Sequence, residues 1–181
     1  EILYMIDGVI VRDPMEGDFS GTVNQNAIQE MTVISGTFNA EYGQAMSGII
    51  NIRIKEGSDD YHGTFSYSSD HFGLKDLPWD AFTKDRIEFT LSGPEVFTGA
   101  LNALGFKLPG HFSFFLNGYM HLNDSYLPQA DDLVPSQSWM ESMATRQHND
   151  WHGLYKLTWR INSQQKLSVS YDYSLNINQG W

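Results

Sequence analysis

The 181-residue sequence contains no cysteine. A disulfide framework, a zinc–thiolate centre and a cysteine nucleophile are therefore excluded. Cations are scarce: 11 Lys and Arg stand against 22 Asp and Glu, a formal net charge of −11. That balance excludes nucleic acid as a partner, because phosphate binding needs clustered Lys and Arg. Apolar runs are short, far below the roughly 18 residues that mark a transmembrane helix. Catalytic signatures are missing too, with no G-x-S-x-G, P-loop or H-E-x-x-H. The chain reads as a non-enzyme without a cofactor. It opens on Glu1 rather than Met, shows no signal peptide, and ends at Trp181 inside an extended stretch. The expectation is a stretch of a longer protein.

What is abundant is aromatic residues, at 14%. From residue 61 onward they recur with strict period two. Tyr61, Phe65 and Tyr67 alternate with His62, Thr64 and Ser66, and Ile87, Phe89 and Leu91 alternate with Arg86, Glu88 and Thr90. Phe112, Phe114 and Leu116 alternate with Ser113 and Asn117, with Phe115 and Tyr119 interrupting the polar side. Trp151, Tyr155 and Trp159 alternate with His152, Lys156 and Arg160, with Leu154 as a further interruption, and Leu167, Val169 and Tyr171 alternate with Ser168, Ser170 and Asp172. Five antiparallel strands of about ten residues follow, longer than the usual 5–6 and close to the 9–11 that cross a bilayer. Mean hydropathy of −0.36 does not oppose this, since barrel strands average lipid-facing and lumen-facing residues. Trp151 and Trp159, eight residues apart, would span roughly 20 Å of membrane normal, near the spacing of two aromatic girdles. Asn162 to Gln165 forms a short polar turn, whereas 70–85 and 123–149 are longer acidic loops and 94–110 is a longer connection with an apolar segment. A soluble sheet with one face on a core also alternates. A secreted all-β binding module, a soluble sandwich, is therefore the alternative reading.

Residues 1–56 differ in texture. Ile2–Ile6 is an apolar run stopped by Asp7-Gly8, a pair suited to a tight turn. Val9 to Val11 follows. One helical turn is expected over Asn24–Gln29, capped by Asn24 or Asn26. Strands are expected at Met31–Ser35 and Ile49–Lys55, the latter with Ile50, Ile52 and Ile54 on one face and Asn51, Arg53 and Lys55 on the other.

Several of these segments resemble, in order and spacing, the TonB-dependent outer-membrane receptors. Tyr4-Met5-Ile6-Asp7-Gly8-Val9 resembles that family's "I-D-G-V" strand and turn. Ala27 to Val33 resembles its "I-x-x-I-x-V" step, with Met31 in place of the usual Ile. Phe38-Asn39-Ala40-Glu41-Tyr42-Gly43 resembles its "A-E-Y-G" turn. Ser47-Gly48-Ile49-Ile50-Asn51-Ile52, followed by Lys55 and Gly57, resembles "S-G-V-I-N-I-x-T-K-x-G", with Ile54 departing from Thr. Tyr61-His62-Gly63 resembles the opening of the first barrel strand. The variant is similar to the large Oar-like or SusC-like receptors common in Bacteroidetes. The resemblance implies an all-β dominated chain: residues 1–57 as the C-terminal part of a small mixed α/β plug, and 58–181 as about five strands of a roughly 22-stranded antiparallel transmembrane β-barrel. It implies active import across the bacterial outer membrane. The partners would be TonB, through a region absent from this stretch, outer-membrane lipid, an imported ligand and, in some members, a surface lipoprotein of SusD type.

The candidate functional residues follow from the same reading. Asp7, Gly8, Glu41, Tyr42, Gly43 and Gly48 belong to plug motifs, where the glycines serve turn geometry. Arg53 and Lys55 are candidate plug–barrel contacts. Trp79, Trp139, Asp131 and Asp132 are candidate extracellular ligand contacts, because aromatics dominate binding hot spots. His148 and His152, with Asp150 between them, fall at a loop–strand junction rather than on a helix. No metal site is expected there, or at Asp124, Asp131, Asp132 and Glu141, which read as a solvated acidic loop.

Overall fold

At Asp7 and Gly8 the backbone takes φ of 49° and 83°. Two consecutive positive values make a hairpin turn whose hand matches strand twist. It reverses Ile2–Ile6 (β1) into Val9–Ile10 (β2), with Met5 opposite Ile10 and Ile6 opposite Val9. The computed structural model describes residues 2–11, 23–35, 48–70, 84–95, 97–98, 103–105, 108–124, 143 and 146–178. The chain divides into two compact units, Glu1–Lys55 and Glu56–Trp181.

In the first unit, Asn24 caps a single 3-10 turn over Gln25–Ala27, its side chain accepting from the Asn26 amide at 2.9 Å. The chain continues into Ile28–Ser35 (β3) and, later, Gly48–Ile54 (β4). The sheet order is β2-β1-β4-β3, with β1 and β4 parallel and β3 and β4 antiparallel. A central position explains why β4 is more apolar than simple alternation suggests. Ile52 and Ile54 are buried as expected, and so is Ile49 on the opposite face. Leu3 and Ala27 complete this small core.

The second unit is one antiparallel sheet of His62–Ser69 (β5), Asp85–Pro94 (β6), His111–Asn123 (β7), His148–Arg160 (β8) and Lys166–Asn178 (β9), ordered as in sequence. The last three have 13 residues each. At about 3.3 Å per residue such strands are about 40 Å long. Asn162 closes the β8–β9 turn: its Oδ1 accepts from the amides of Gln164 at 2.9 Å and Gln165 at 2.8 Å.

Register aligns residues of one character across all five strands. Phe65, Phe89, Gly118, Gly153 and Tyr173 form one row, and Gly63, Leu91, Leu116, Tyr155 and Tyr171 the next. Two residues away from each row, the same face carries more aromatic and aliphatic side chains. The opposite face carries Ser66, Glu88, Tyr119, His152 and Ser174 in one row and Thr64, Thr90, Asn117, Leu154 and Asp172 in another. Exposure is the reverse of that in a soluble protein. Phe65 is 73% exposed, Val169 60% and Tyr171 64%, whereas Asn117 and Thr158 are fully buried. Tyr67 and Phe89 are exposed as well, and Phe112, Phe114, Trp151, Tyr155 and Trp159 are half-buried. Phe115 and Leu154, the apolar interruptions of the polar face, are among its most buried residues. Among the described residues the aromatics converge on no closed core, as a soluble sandwich would require.

Glycine makes room on the aromatic face at Gly118. A Cβ at Gly118 would overlap the Phe89 ring, which lies over that backbone on the neighbouring strand. Gly118→Val should displace the ring and destabilise the sheet by about 1–3 kcal/mol, the usual cost of overpacking. The temperature at which the folded gel band of the full-length protein is lost would check this, with Gly153→Ala, where a Cβ meets nothing, as the control that should stay unchanged.

Candidate functional site

A sheet with aromatics outside and charges inside must do something with those charges. On the polar face they are paired locally. Arg86 pairs with Glu88 and lies 5.4 Å over the Tyr119 ring. The ring nitrogen Nε2 of His152 is 3.2 Å from both carboxylate oxygens of Asp172. Thr64 and Thr90 share a hydroxyl hydrogen bond of 2.6 Å, and Asn117 Nδ2 donates to the Phe89 carbonyl at 3.2 Å. The result is a polar wall of donors and acceptors along the inner side of five strands.

Both ends of the sheet are finished by polar knots. At the end where β6, β8 and the approach to β5–β6 meet the long connections, Arg146 reaches Asp124 at 2.8 Å and Asp85 at 3.3 Å. Asn149 accepts from the Arg146 amide and donates to the carbonyls of Arg146 and Ile177. Tyr67 donates its hydroxyl to Asp85 at 2.8 Å. At the opposite end, Glu56 accepts from Arg160 at 3.1 Å and from Lys166 at 2.6 Å. Burial pushes the Glu56 carboxyl up, but the hydrogen bond and charge of Lys166, the hydrogen bond of Arg160 and the charge of Lys156 outweigh it. Its pKa falls below the ordinary carboxylate value. The two tryptophans of β8 mark these ends on the aromatic face. Trp151 donates its indole N–H to the Met143 carbonyl at 2.9 Å, and Trp159 donates to the Pro109 carbonyl at 2.8 Å. Phe112 stacks on Trp159 with centroids 5.0 Å apart. Aromatic bodies outward with their polar tips at the two rims are the pattern of membrane-interface girdles.

No protein-family model matches the chain. It is 30% identical over 61 residues to the TonB-dependent transporter Oar of Myxococcus xanthus, a match over 34% of this chain and 6% of that protein. Its fold is shared along nearly its whole length with the siderophore receptor PirA from Acinetobacter baumannii, at a TM-score of 0.52 and 23% identity over 99% of this chain and 24% of that one. A variant of the ferric enterobactin receptor PfeA from Pseudomonas aeruginosa gives a TM-score of 0.50 at 19% identity, over 97% of this chain and 25% of that one. The chain resembles TonB-dependent receptors, in sequence over that 61-residue stretch and in fold over nearly its whole length. It spans about a quarter of the solved receptors' length.

The residues singled out by sequence are placed unevenly. Asp7 does more than turn the chain: its Oδ1 accepts from the Ile54 amide at 3.0 Å, and its own amide donates to the Ile52 carbonyl at 2.9 Å, tying the hairpin to β4. Gly8 supplies the second positive φ. Gly48 is buried at the head of β4, but a Cβ there would make only ordinary contact with the Ile34 carbonyl oxygen at 3.6 Å. Arg53 pairs with Glu30 at 3.2 Å and Lys55 donates to the Asn26 carbonyl at 2.9 Å, both inside the first unit. Glu41, Tyr42, Gly43, Trp79, Trp139, Asp131 and Asp132 lie outside the described residues. Of the acidic loop residues, Asp85 and Asp124 are occupied by Arg146. His148 lies 3.0 Å from the Asn178 side chain and His152 turns to Asp172, so the two histidines have separate partners.

Sequence reasoning missed Glu56, whose partners lie 104 and 110 residues away. Two predictions follow from the polar contacts. Asp7→Ala should cost the first unit about 1–3 kcal/mol, because it removes the carboxylate that accepts from the Ile54 amide and puts a residue poorly suited to positive φ in the turn. Amide exchange over Ile2–Ile6 and Gly48–Ile54 would report it. Because folding holds Glu56 below the ordinary carboxylate range, its lock contributes fully above that range and is lost as pH falls through the depressed value. The stability gap between the wild type and Glu56→Gln should therefore be largest near neutral pH and close in acid, as read from thermal midpoints across a pH series.

Proposed function

We propose that this chain is the C-terminal part of a plug and the first five wall strands of a transmembrane barrel, in a receptor that imports a ligand across the outer membrane with energy delivered through TonB. The observation that carries the reading is the inverted sidedness of β5–β9, aromatic outward and polar inward, on strands long enough to cross the hydrocarbon. Charged groups such as Arg86, Glu88, Lys156 and Asp172 would be costly at mid-bilayer, so the face that carries them turns to the lumen. The first unit is the plug; TonB engages a region outside this chain and remodels the plug so that the ligand passes. A surface lipoprotein of SusD type, where one is present, would sit over the outer loops.

In this reading β5 runs outward. Residues 70–85 and 123–149 are extracellular, and Asn162–Gln165 and the 94–110 connection are periplasmic. First contact with ligand falls to the outer loops, with Trp79 and Trp139 as apolar anchors beside Asp131 and Asp132. Single-cysteine labelling in whole cells tests the topology. A membrane-impermeant maleimide should reach Ser136→Cys and not Ser163→Cys; the opposite result would invert the barrel and remove the ligand assignment. The full-length protein should also fractionate with outer membranes and run as a heat-modifiable band, whereas a secreted binding module would do neither.

A further inference from the structure

The six residues after Lys55, Glu56–Tyr61, are fastened to the sheet far more heavily than a linker requires. Glu56 is held by Arg160 and Lys166 on either side of the β8–β9 turn, and its side chain is only 17% exposed. Gly57 lies directly against β7, where a Cβ would overlap the Phe114 backbone and the Ser113 side chain. Only glycine permits that approach. The Ser58 hydroxyl is 3.3 Å from that of Ser92 on β6. Asp59 lies 3.2 Å from the His111 ring nitrogen at the start of β7. Tyr61 then covers Gly93 on β6, whose Cβ would strike the ring, and packs 6.4 Å from Phe114. Consecutive residues thus reach β6, β7, β8 and β9 at one end of the sheet before the chain enters β5 as an edge strand.

We propose that Glu56–Tyr61 is a strap that stops movement of the preceding unit from reaching the barrel wall, with the Glu56 carboxylate as its charged fastening and Gly57 as its close-packed seat. The proposal rests on the reading of the first unit as a plug that is remodelled during import. A pull on that unit meets several fastenings to four strands within six residues, so load is shared across the sheet rather than peeling β5 from β6. Placing the anchor on the inner, polar side also explains the charges. Arg160 and Lys166 belong to the polar face, and among the described residues Glu56 is their anionic partner at that end, while Asp59 faces the His111 ring.

The test needs neither ligand nor TonB. The full-length receptor, reconstituted in lipid, is pulled from its N-terminus by single-molecule force spectroscopy, and the chain length released before the first barrel strand gives way is recorded. A Ser58→Cys/Ser92→Cys variant is pulled with its disulfide formed and reduced. If the strap is a stop, oxidised and reduced molecules release the same length, ending at the strap. In the same background Glu56→Gln should make the reduced molecule release more than the oxidised one. A reduced molecule that already releases more with Glu56 intact, or a cysteine pair that does not form the disulfide, overturns the proposal. Equal lengths in the Glu56→Gln background would remove Glu56 from it. Correct folding of each variant is read from its heat-modifiable band. Should the import reading fail, that appears in the fractionation and labelling experiments, while the released length still reports on the strap.

Discussion

A strand in a bilayer has no water to satisfy its amides and carbonyls, so each must pair with a neighbouring strand. The strands of the second unit, as proposed barrel strands, meet that requirement. The interior strands β6, β7 and β8 are paired on both sides along continuous registers of up to 13 residues, and the order in space follows the order in sequence. Once the registers are fixed, period two decides everything else about the faces. A shift of one residue in any strand would send Lys156 or Glu88 into the hydrocarbon and an aromatic ring into the polar wall. The side chains therefore hold the register as firmly as the register displays the side chains.

The two faces impose different packing problems. On the aromatic side, large rings need somewhere to lie, and small residues on adjacent strands provide it, as Gly118 does for Phe89 and Gly93 for Tyr61. On the polar side, charges need partners, and these come from the same or the next strand: Arg86 with Glu88, His152 with Asp172. At the two ends of the sheet, tryptophan N–H groups and half-buried carboxylates take over. Trp151 and Trp159 are 8 residues apart along β8 and each finds a carbonyl at its own rim. This links a purely local sequence feature, two tryptophans on one face, to the thickness of the membrane.

Charge at the rims is used structurally. A net charge of −11 suggests free carboxylates looking outward for a ligand. Asp85, Asp124 and Glu56 are instead tied to Arg146, Arg160 and Lys166. With only 11 Lys and Arg in the chain, each of these cations is committed to holding an end of the sheet.

The sequence alone determined the local geometry. Alternation placed β5–β9 within a few residues of their ends, because period two is a property of the strand itself and survives without knowledge of its neighbours. Asp7-Gly8 announced its turn because positive φ selects few residues, whereas the sequence offers Asn24 or Asn26 as a cap and the structure uses Asn24, whose short side chain reaches an amide two residues on. Tertiary structure alone decided which distant groups meet. Ile49 reads as a residue ahead of the alternation, yet it is buried because β4 lies between β1 and β3. Arg53 has Glu30 beside it only because β4 returns along β3. Glu56 reads as an ordinary surface acid between Lys55 and Gly57, and only the return of the chain through β8 and β9 brings Arg160 and Lys166 to its carboxylate. Periodicity records the conformation of each strand, whereas the pairing of charges a hundred residues apart is fixed by the register, and register is shared among strands rather than carried by any one of them.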